Sequence, residues 1–240
     1  MGKQQKRTYE DVCRELADQG IDAYRATILT DLDSVELGRY YRLFFEFGQE
    51  FLDKEALPFN IRPARMYFNT IPKAVNACAR YLPDSGYHLI EVNRGCIKTL
   101  FRHFYFENRL FDDPALTPFR DVARSAEQEP GFIVFQMTCL YLLYHEIGHL
   151  VQNSLEHGPV YEENPQSMPD RGSTRDRHIR EMDADYFSGY HVAIHIKAFA
   201  EALEKMIGRL TTDRFENCAA LALSAIYMFH ILVSYHARGI

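Results

Sequence analysis

The stretch Leu142–Val151, LLYHEIGHLV, places two histidines and one glutamate inside an otherwise uncharged run. On an α-helix, residues four apart lie on the same face, so His145 and His149 can direct an imidazole nitrogen to a single ion. Two imidazoles supply half the ligands of a tetrahedral zinc site, and Glu146 can take a proton from a water molecule at the open position. The stretch therefore predicts a zinc-binding helix with Glu146 as general base.

The residues around the HExxH pattern favour a buried helix. Leu143, Ile147 and Leu150 are apolar, and no proline interrupts the run. The five-residue pattern is short enough to arise by chance, so the alternative is an amphipathic helix whose histidines are only hydrogen-bonded. A third ligand elsewhere in the chain would distinguish the two interpretations.

Three places could supply that third ligand. On the same helix, the metzincin pattern HExxHxxGxxH needs glycine and histidine where this chain has Gln152 and Leu155, and His157 is out of register. No convincing aspartate pattern is present. A later segment, Arg180–Tyr190 (REMDADYFSGY), supplies a glutamate in the manner of the gluzincins. We therefore expect Glu181 to be the third ligand.

Glu181 and Asp185 lie four residues apart and share a helical face. Two like charges at this spacing repel each other, and a cation with its histidines removes that penalty. We expect Glu181 to bind the metal and Asp185 to accept the outward ring N–H of His145 or His149, which fixes the tautomer of that histidine. Ala184, between the two, is small enough for two helices to approach closely. The alternative is an acidic face in solvent.

The two segments, HExGH at His145–His149 and ExxAD at Glu181–Asp185, resemble the gluzincin metallopeptidases of the HtpX and CAAX-prenyl-protease type. More loosely, they are similar to HExxH peptidases that act on one target, such as the Lit phage-exclusion protease. This chain has no series of membrane spans like that of the HtpX-type enzymes. The resemblance implies a zincin-like fold with zinc ligands His145, His149 and Glu181, catalytic base Glu146, and Asp185 as the support of a ligand histidine.

Length, charge and cysteine content limit the classes of protein to which this chain can belong. The chain has 240 residues and no Pro/Gly/Ser-rich linker, so we expect a single domain, 1–240. Within it we expect a helical N-terminal part at 1–130 and the zinc-binding helices at 131–240. A net charge of −6 argues against a nucleic-acid surface. Five scattered cysteines without a CxxC motif favour reduced thiols, and the N-terminus has no apolar signal segment. We therefore expect a cytoplasmic protein.

The N-terminal part predicts helices at Tyr9–Gln19 and at about Ser34–Leu57, the latter with an aromatic stripe that we assign to the core. A further helix is expected around Ala74–Tyr81. The segment 87–93 alternates weakly, and we expect Leu89–Asn93 to be an edge strand beside the active site, where a substrate can add as another strand. An ordinary core strand is the alternative. Asn93 is the candidate for binding a substrate carbonyl.

The C-terminal part predicts a helix at Pro114–Gln128, the long HEIGH helix from Gly131, and a second zinc helix from about Arg177 to Met206. The polar segment 158–177 between the zinc helices is expected to be a loop, either a lid over the site or a plain connector. The run 218–235 has no charged residue over a length close to that of a membrane span. We expect a buried packing helix there, with a membrane anchor as the alternative.

Peptide hydrolysis needs a group that stabilises the oxyanion besides zinc. His178, one turn before Glu181, is our candidate, and the sequence leaves alternatives open at Tyr186, Tyr190 and His191.

The sequence as a whole predicts a predominantly α-helical α+β domain that is a zinc-dependent endopeptidase acting on a protein or peptide substrate. Two other classes stay open. One is a non-catalytic zinc-binding regulatory or sensor protein, for which a closed four-ligand site completed by His157 or His178 would be typical. The other is a zinc-free helical interaction module.

Overall fold

The computed structural model describes residues 7–21, 37–54, 57–71, 75–106, 130–156 and 171–207, together with parts of 216–230. Helices predominate, and one small sheet accompanies them, which confirms the predicted α+β class. The main helices are α1 (Tyr9–Asp18), α2 (Gly38–Lys54), α3 (Arg94–Phe101), α4 (Pro130–Glu156) and α5 (Arg171–Ile207). A short 3-10 helix spans Leu57–Phe59, and a π-helical turn, Arg102–Phe106, follows α3.

The sheet has three strands, β1 (Ala64–Asn69), β2 (Ala77–Leu82) and β3 (Tyr87–Asn93), in the order β1-β3-β2. β3 pairs with β1 in parallel and with β2 in antiparallel orientation. The expectation of an edge strand at Leu89–Asn93 is therefore wrong, because β3 is the central strand and β1 and β2 are the edge strands. The predicted helix around Ala74–Tyr81 is also wrong.

The reason for the second error is the turn between β2 and β3. Residues Pro83–Gly86 form a turn in which the Gly86 N–H donates to the Leu82 carbonyl at 2.7 Å, and Gly86 has φ +71°. A proline, an aspartate and a glycine in such a short stretch are the residues that tight turns require. The turn makes β2 and β3 a hairpin, and pairing with β3 holds Ala77–Leu82 extended.

The outer edge of β1 is closed by side chains from two helices. The Gln49 amide accepts from the Met66 N–H at 3.1 Å and donates to the Ala64 carbonyl at 3.2 Å, as a neighbouring strand would. The Tyr9 hydroxyl lies 3.1 Å from the Phe68 nitrogen and 3.4 Å from its oxygen. These contacts satisfy backbone groups that would otherwise form an exposed edge.

The helix α1 begins at a capping box, because Thr8 and Asp11 each bond the backbone N–H of the other. Farther along the helix, Glu15 receives a two-pronged hydrogen bond from the buried Arg65 at 2.9 and 2.5 Å and a third from Tyr87 at 2.8 Å. Partial burial alone would raise the pKa of Glu15, but these hydrogen bonds lower it. Through them α1 is joined to both β1 and β3.

The aromatic stripe of α2 lies in the core, as expected. Tyr41, Phe44 and Phe45 are buried. The Tyr41 and Phe44 rings pack on Phe68 of β1 with centroids 5.2 and 6.2 Å apart. Aromatic packing thus joins α2 to the sheet.

The chain divides into two compact units, one formed by Met1–Ile97 with His145–Asp185 and the other by Lys98–Tyr144 with Tyr186–Ile240. In the second unit, Gly131 packs so tightly that a Cβ atom there would lie 2.1 Å from the Phe104 carbonyl oxygen. Both units are assembled from segments distant in the chain, so the single domain stays a prediction.

Some predictions fall on residues outside the described part of the chain, namely the helix at Pro114–Gln128, most of the C-terminal run 218–235, and His157. The predicted loop 158–177 is shorter than expected at its end, because α5 already begins at Arg171. None of the helices that the structure describes combines the length and apolar content needed to cross a bilayer.

His88 of β3 provides a test of this fold through pH. It is 5% exposed, its Nδ1 has no hydrogen-bond partner among the described residues, and burial lowers its pKa to about 4. The unfolded chain therefore binds a proton at His88 below its ordinary pKa of 6.5, whereas the folded protein does not until about pH 4. Stability should fall over this interval as pH is lowered, by up to about 3 kcal/mol from His88.

We expect His88→Phe, which keeps a ring against Tyr81, to remove that part of the pH dependence. Urea unfolding of both proteins at several pH values between 7 and 4 measures the difference directly. Parallel stability curves for the two proteins would contradict the assignment.

Candidate metal centre

The central part of helix α4 is buried, and one face of the helix lies towards α5. Leu143, Ile147 and Leu150 are completely buried, whereas His145 and His149 are half-buried. Their Nε2 atoms lie 3.1 Å apart. The two imidazoles are thus directed at one point, as the spacing of four residues predicts.

Glu181 of α5 completes the cluster. Its Oε2 lies 3.4 Å from Nε2 of His145 and 3.7 Å from Nε2 of His149. A tetrahedral zinc ion with bonds of about 2.0–2.1 Å keeps its ligand atoms about 3.3 Å apart. The three separations therefore suit a single metal ion. Within the described part of the chain, these residues form the group found with ligand atoms close enough for one ion.

Asp185 orients the first histidine. Its Oδ1 lies 2.9 Å from Nδ1 of His145. A carboxylate only accepts hydrogen bonds, so Nδ1 carries the proton and the Nε2 of neutral His145 presents a lone pair. The contact expected between Asp185 and a ligand histidine is thus present.

A second polar residue, Gln152, contacts the other histidine. Its Oε1 lies 3.0 Å from Nδ1 of His149, and its Nε2 donates to the Arg180 carbonyl at 2.7 Å. In the sequence, Gln152 stands out only as a departure from the metzincin pattern. Its position three residues after His149, on the same helical face, is the signal that could have identified it.

Protons and metal ions compete for this cluster. Burial alone would lower the pKa of His145, but hydrogen bonds to Asp185 and Glu181 raise it to about 10. Burial alone would also lower the pKa of His149, but its contact with Glu181, the charge of Glu146 and its hydrogen bond to Gln152 together raise it. Hydrogen bonds from both histidines hold the pKa of Glu181 far below its usual range. Metal binding must therefore displace protons from the imidazoles.

Glu146 lies beside the cluster and is 5% exposed. Burial raises the pKa of its carboxyl group, although the neighbouring histidines and a hydrogen bond from the backbone of Ala79 act in the opposite direction. Ala79 belongs to β2, the edge strand. The structure thus places the predicted base between the ligand histidines and the edge of the sheet.

The two helices approach closely at Gly148 of α4 and Ala184 of α5. A Cβ atom at Gly148 would lie 3.0 Å from Cα and 3.3 Å from Cβ of Ala184. Ala184 is adjacent to Asp185 and three residues from Glu181, so the contact sets how far these carboxylates reach towards the histidines. The expectation of a small residue at this position has a structural reason.

The remaining predicted site residues are not brought into the cluster by any described contact. His178 lies exposed on α5. Asn93 is buried, and its Oδ1 accepts from the Asn69 amide at 2.6 Å. Tyr186 and Tyr190 are exposed, and His191 stacks on Tyr144 in the second unit with ring centroids 4.6 Å apart. Roles for His178 and Asn93 in catalysis or substrate binding stay predictions.

No family model, curated protein or solved structure matches this chain. The resemblance to the gluzincins therefore depends on the two segments His145–His149 and Glu181–Asp185. What the structure adds is that these segments, distant in sequence, lie together with ligand atoms at metal-binding separations.

Substitution of Gly148 tests the helix contact. Gly148→Ala should lower stability by about 1–3 kcal/mol, because the added methyl meets the Ala184 backbone. It should also weaken metal binding, since α5 carries Glu181. Chemical unfolding and metal titration measure the two effects.

Gly189→Ala on α5 is the matched control, because a Cβ atom there meets nothing among the described residues within 4 Å. Alanine is the better helix former, so this variant should be as stable as the wild type or more stable by up to about 1 kcal/mol. Equal effects of the two substitutions would refute a close contact at Gly148.

Glu181→Ala tests the third ligand. Elemental analysis of the purified wild type should find about one metal ion per chain, and the variant should lose most of it because two imidazoles remain. Asp183→Ala removes an exposed carboxylate from the same helix and should leave the metal content unchanged. Normal metal content in Glu181→Ala would remove that residue from the site.

Proposed function

We propose that the protein is a zinc-dependent endopeptidase of gluzincin type. The observation that carries the proposal is the convergence of His145, His149 and Glu181 on one point, with ligand-atom separations of 3.1, 3.4 and 3.7 Å, beside the buried Glu146. Two imidazoles and one carboxylate are the donor set of catalytic zinc sites that keep one position open. The HExGH and ExxAD segments and their likeness to the HtpX-type peptidases support the same reaction class.

Zinc is the metal that this donor set suits best, because two nitrogens and one oxygen at tetrahedral separations match its preferences. When bound, it supplies a Lewis acid that polarises a carbonyl and lowers the pKa of water. Asp185 and Gln152 keep the proton of each ligand histidine on Nδ1, which leaves both Nε2 atoms as donors to the metal.

Glu146 is the proposed general base. It takes a proton from the attacking water and gives it to the amine that leaves. Burial raises the pKa of its carboxyl group, which favours proton acceptance, and the hydrogen bond from the Ala79 backbone holds the side chain in place. Both features suit a group that must gain and lose a proton in each cycle.

The edge strand β2 supplies a binding mode for an extended peptide. The Asn76 carbonyl accepts from Asn93 N–H on the β3 side, so the alternate residues Ala77, Ala79 and Tyr81 direct their backbone groups away from β3. Because the Ala79 N–H already donates to Glu146, a substrate strand that pairs with the other outward groups of this edge would lie next to Glu146. The proposed binding edge thus moves from Leu89–Asn93 to β2.

The substrate class follows from compartment rather than from a residue. We place the enzyme in the cytoplasm because its five cysteines are scattered along the chain and favour reduced thiols. An ungated general protease would be hazardous in that compartment. We therefore propose a narrowly targeted peptidase that acts on one or a few proteins.

Glu146→Gln tests the reaction. The amide can still accept from the Ala79 N–H, so the fold and metal content should be retained. Hydrolysis should fall by about 10²–10⁴-fold, because the water loses its proton acceptor. The measurement is a map of new N-termini in a proteome-derived peptide library treated with wild type or variant, which samples many candidate substrates at once.

New termini that appear equally with both proteins would contradict the role of Glu146. A wild type that binds zinc but generates no new termini would favour the regulatory zinc protein.

A further inference from the structure

We infer that Gln152 is a positioning residue of the metal centre, which fixes His149 and ties it to the backbone that carries Glu181. The inference rests on the metal site of the proposed function, but not on peptidase activity. Gln152 lies on α4, half-buried, between His149 and the start of the Glu181 turn of α5.

The orientation of the Gln152 amide follows from its two contacts. The Arg180 carbonyl only accepts hydrogen bonds, so the amide NH₂ must face it, at 2.7 Å. The amide oxygen then faces His149 Nδ1, at 3.0 Å, and it too only accepts. His149 is therefore held as the tautomer with its proton on Nδ1, and its Nε2 lone pair is directed at the cluster.

The same two contacts couple two of the metal ligands. Arg180 directly precedes Glu181 in α5, so the amide fixes the backbone next to one ligand while it orients the ring of another. A rotation of His149 away from the cluster would break the hydrogen bond to Gln152. A shift of α5 along α4 would break the bond to Arg180. Gln152 thus fixes the position of His149 relative to Glu181.

A neutral amide suits this position better than a carboxylate. Three carboxylates, those of Glu146, Glu181 and Asp185, already surround the two histidines. Asp185 supplies a charged acceptor to Nδ1 of His145. A fourth negative charge would face the Arg180 carbonyl oxygen, with which a carboxylate cannot form a hydrogen bond. An amide orients His149 and keeps both partners satisfied.

Two substitutions separate positioning from packing. Gln152→Met keeps the length of the side chain but loses both hydrogen bonds. Gln152→Glu keeps an acceptor for His149 and loses only the donor to Arg180. Asn153→Ala, at the neighbouring half-buried amide of α4, is the matched control.

The primary measurement is the Zn²⁺ affinity of each full-length protein, obtained by competition with a chromophoric chelator. Loss of a group that supports a ligand histidine weakens metal binding by about 10–100-fold. We expect that loss in Gln152→Met, a smaller loss in Gln152→Glu, which keeps the acceptor for His149 but not the bond to Arg180, and none in Asn153→Ala. The visible absorption spectrum of the Co²⁺-loaded protein should change in Gln152→Met, because His149 is no longer held in one orientation.

Thermal unfolding of the metal-free proteins provides the second readout. Metal-free Gln152→Met should unfold close to the wild-type temperature, since the side chain still packs. Wild-type Zn²⁺ affinity in Gln152→Met would overturn the inference. So would a metal-free Gln152→Met that is destabilised enough to explain its entire loss of Zn²⁺ affinity by partial unfolding.

The outcomes for Gln152 and for the proposed peptidase are distinguishable. If the wild type binds Zn²⁺ but hydrolyses nothing, and Gln152→Met still loses Zn²⁺ affinity, the proposed peptidase is refuted and the role of Gln152 is supported. If the wild type hydrolyses peptides and Gln152→Met keeps wild-type Zn²⁺ affinity, the peptidase is supported and the role of Gln152 is refuted.

Discussion

The site depends on the close approach of α4 and α5 at Gly148 and Ala184. The axes of packed helices lie about 8–10 Å apart, and the shorter separations in that range require small residues at the contact. Here an added Cβ at Gly148 would lie 3.0 Å from the Ala184 backbone. Glutamate has a short reach, so Glu181 can contact both imidazoles only if α5 lies against α4. The two small residues are therefore as necessary to the cluster as its charged ones.

The cluster concentrates groups that oppose one another. Two imidazoles with lone pairs directed at one point, and a carboxylate beside them, repel each other unless protons or a cation lie between. The raised pKa values of His145 and His149 and the lowered pKa of Glu181 express this demand for positive charge. Asp185 and Gln152 prevent the rings from turning away. Without an ion, protons on the imidazoles meet this demand, so a cation that enters the cluster must displace them.

The sequence predicted the residues of the cluster because helical geometry is local. His145 and His149 are one turn apart on α4, and Glu181 and Asp185 are one turn apart on α5, so each pair shares a face regardless of the rest of the fold. The meeting of the two pairs was inferred from a resemblance. The structure supports that inference through the distances between His145, His149 and Glu181.

The sheet was predicted less well, because strand order depends on pairing between distant segments. Leu89–Asn93 was correctly expected to be extended, but nothing in that stretch indicates that β1 and β2 flank it on either side. Gln152 was missed for a different reason. A glutamine on a helix is ordinary, and its meaning here depends on the Arg180 carbonyl of another helix.

Among the described residues, one edge of the sheet is left open to a further strand. Gln49 and Tyr9 occupy the outer edge of β1, whereas the outer edge of β2 has no neighbouring strand among the described residues. An extended chain that pairs with this edge, whether from another protein or from a second copy, would lie beside Glu146. Self-association through this edge would therefore compete with a substrate strand of the proposed peptidase.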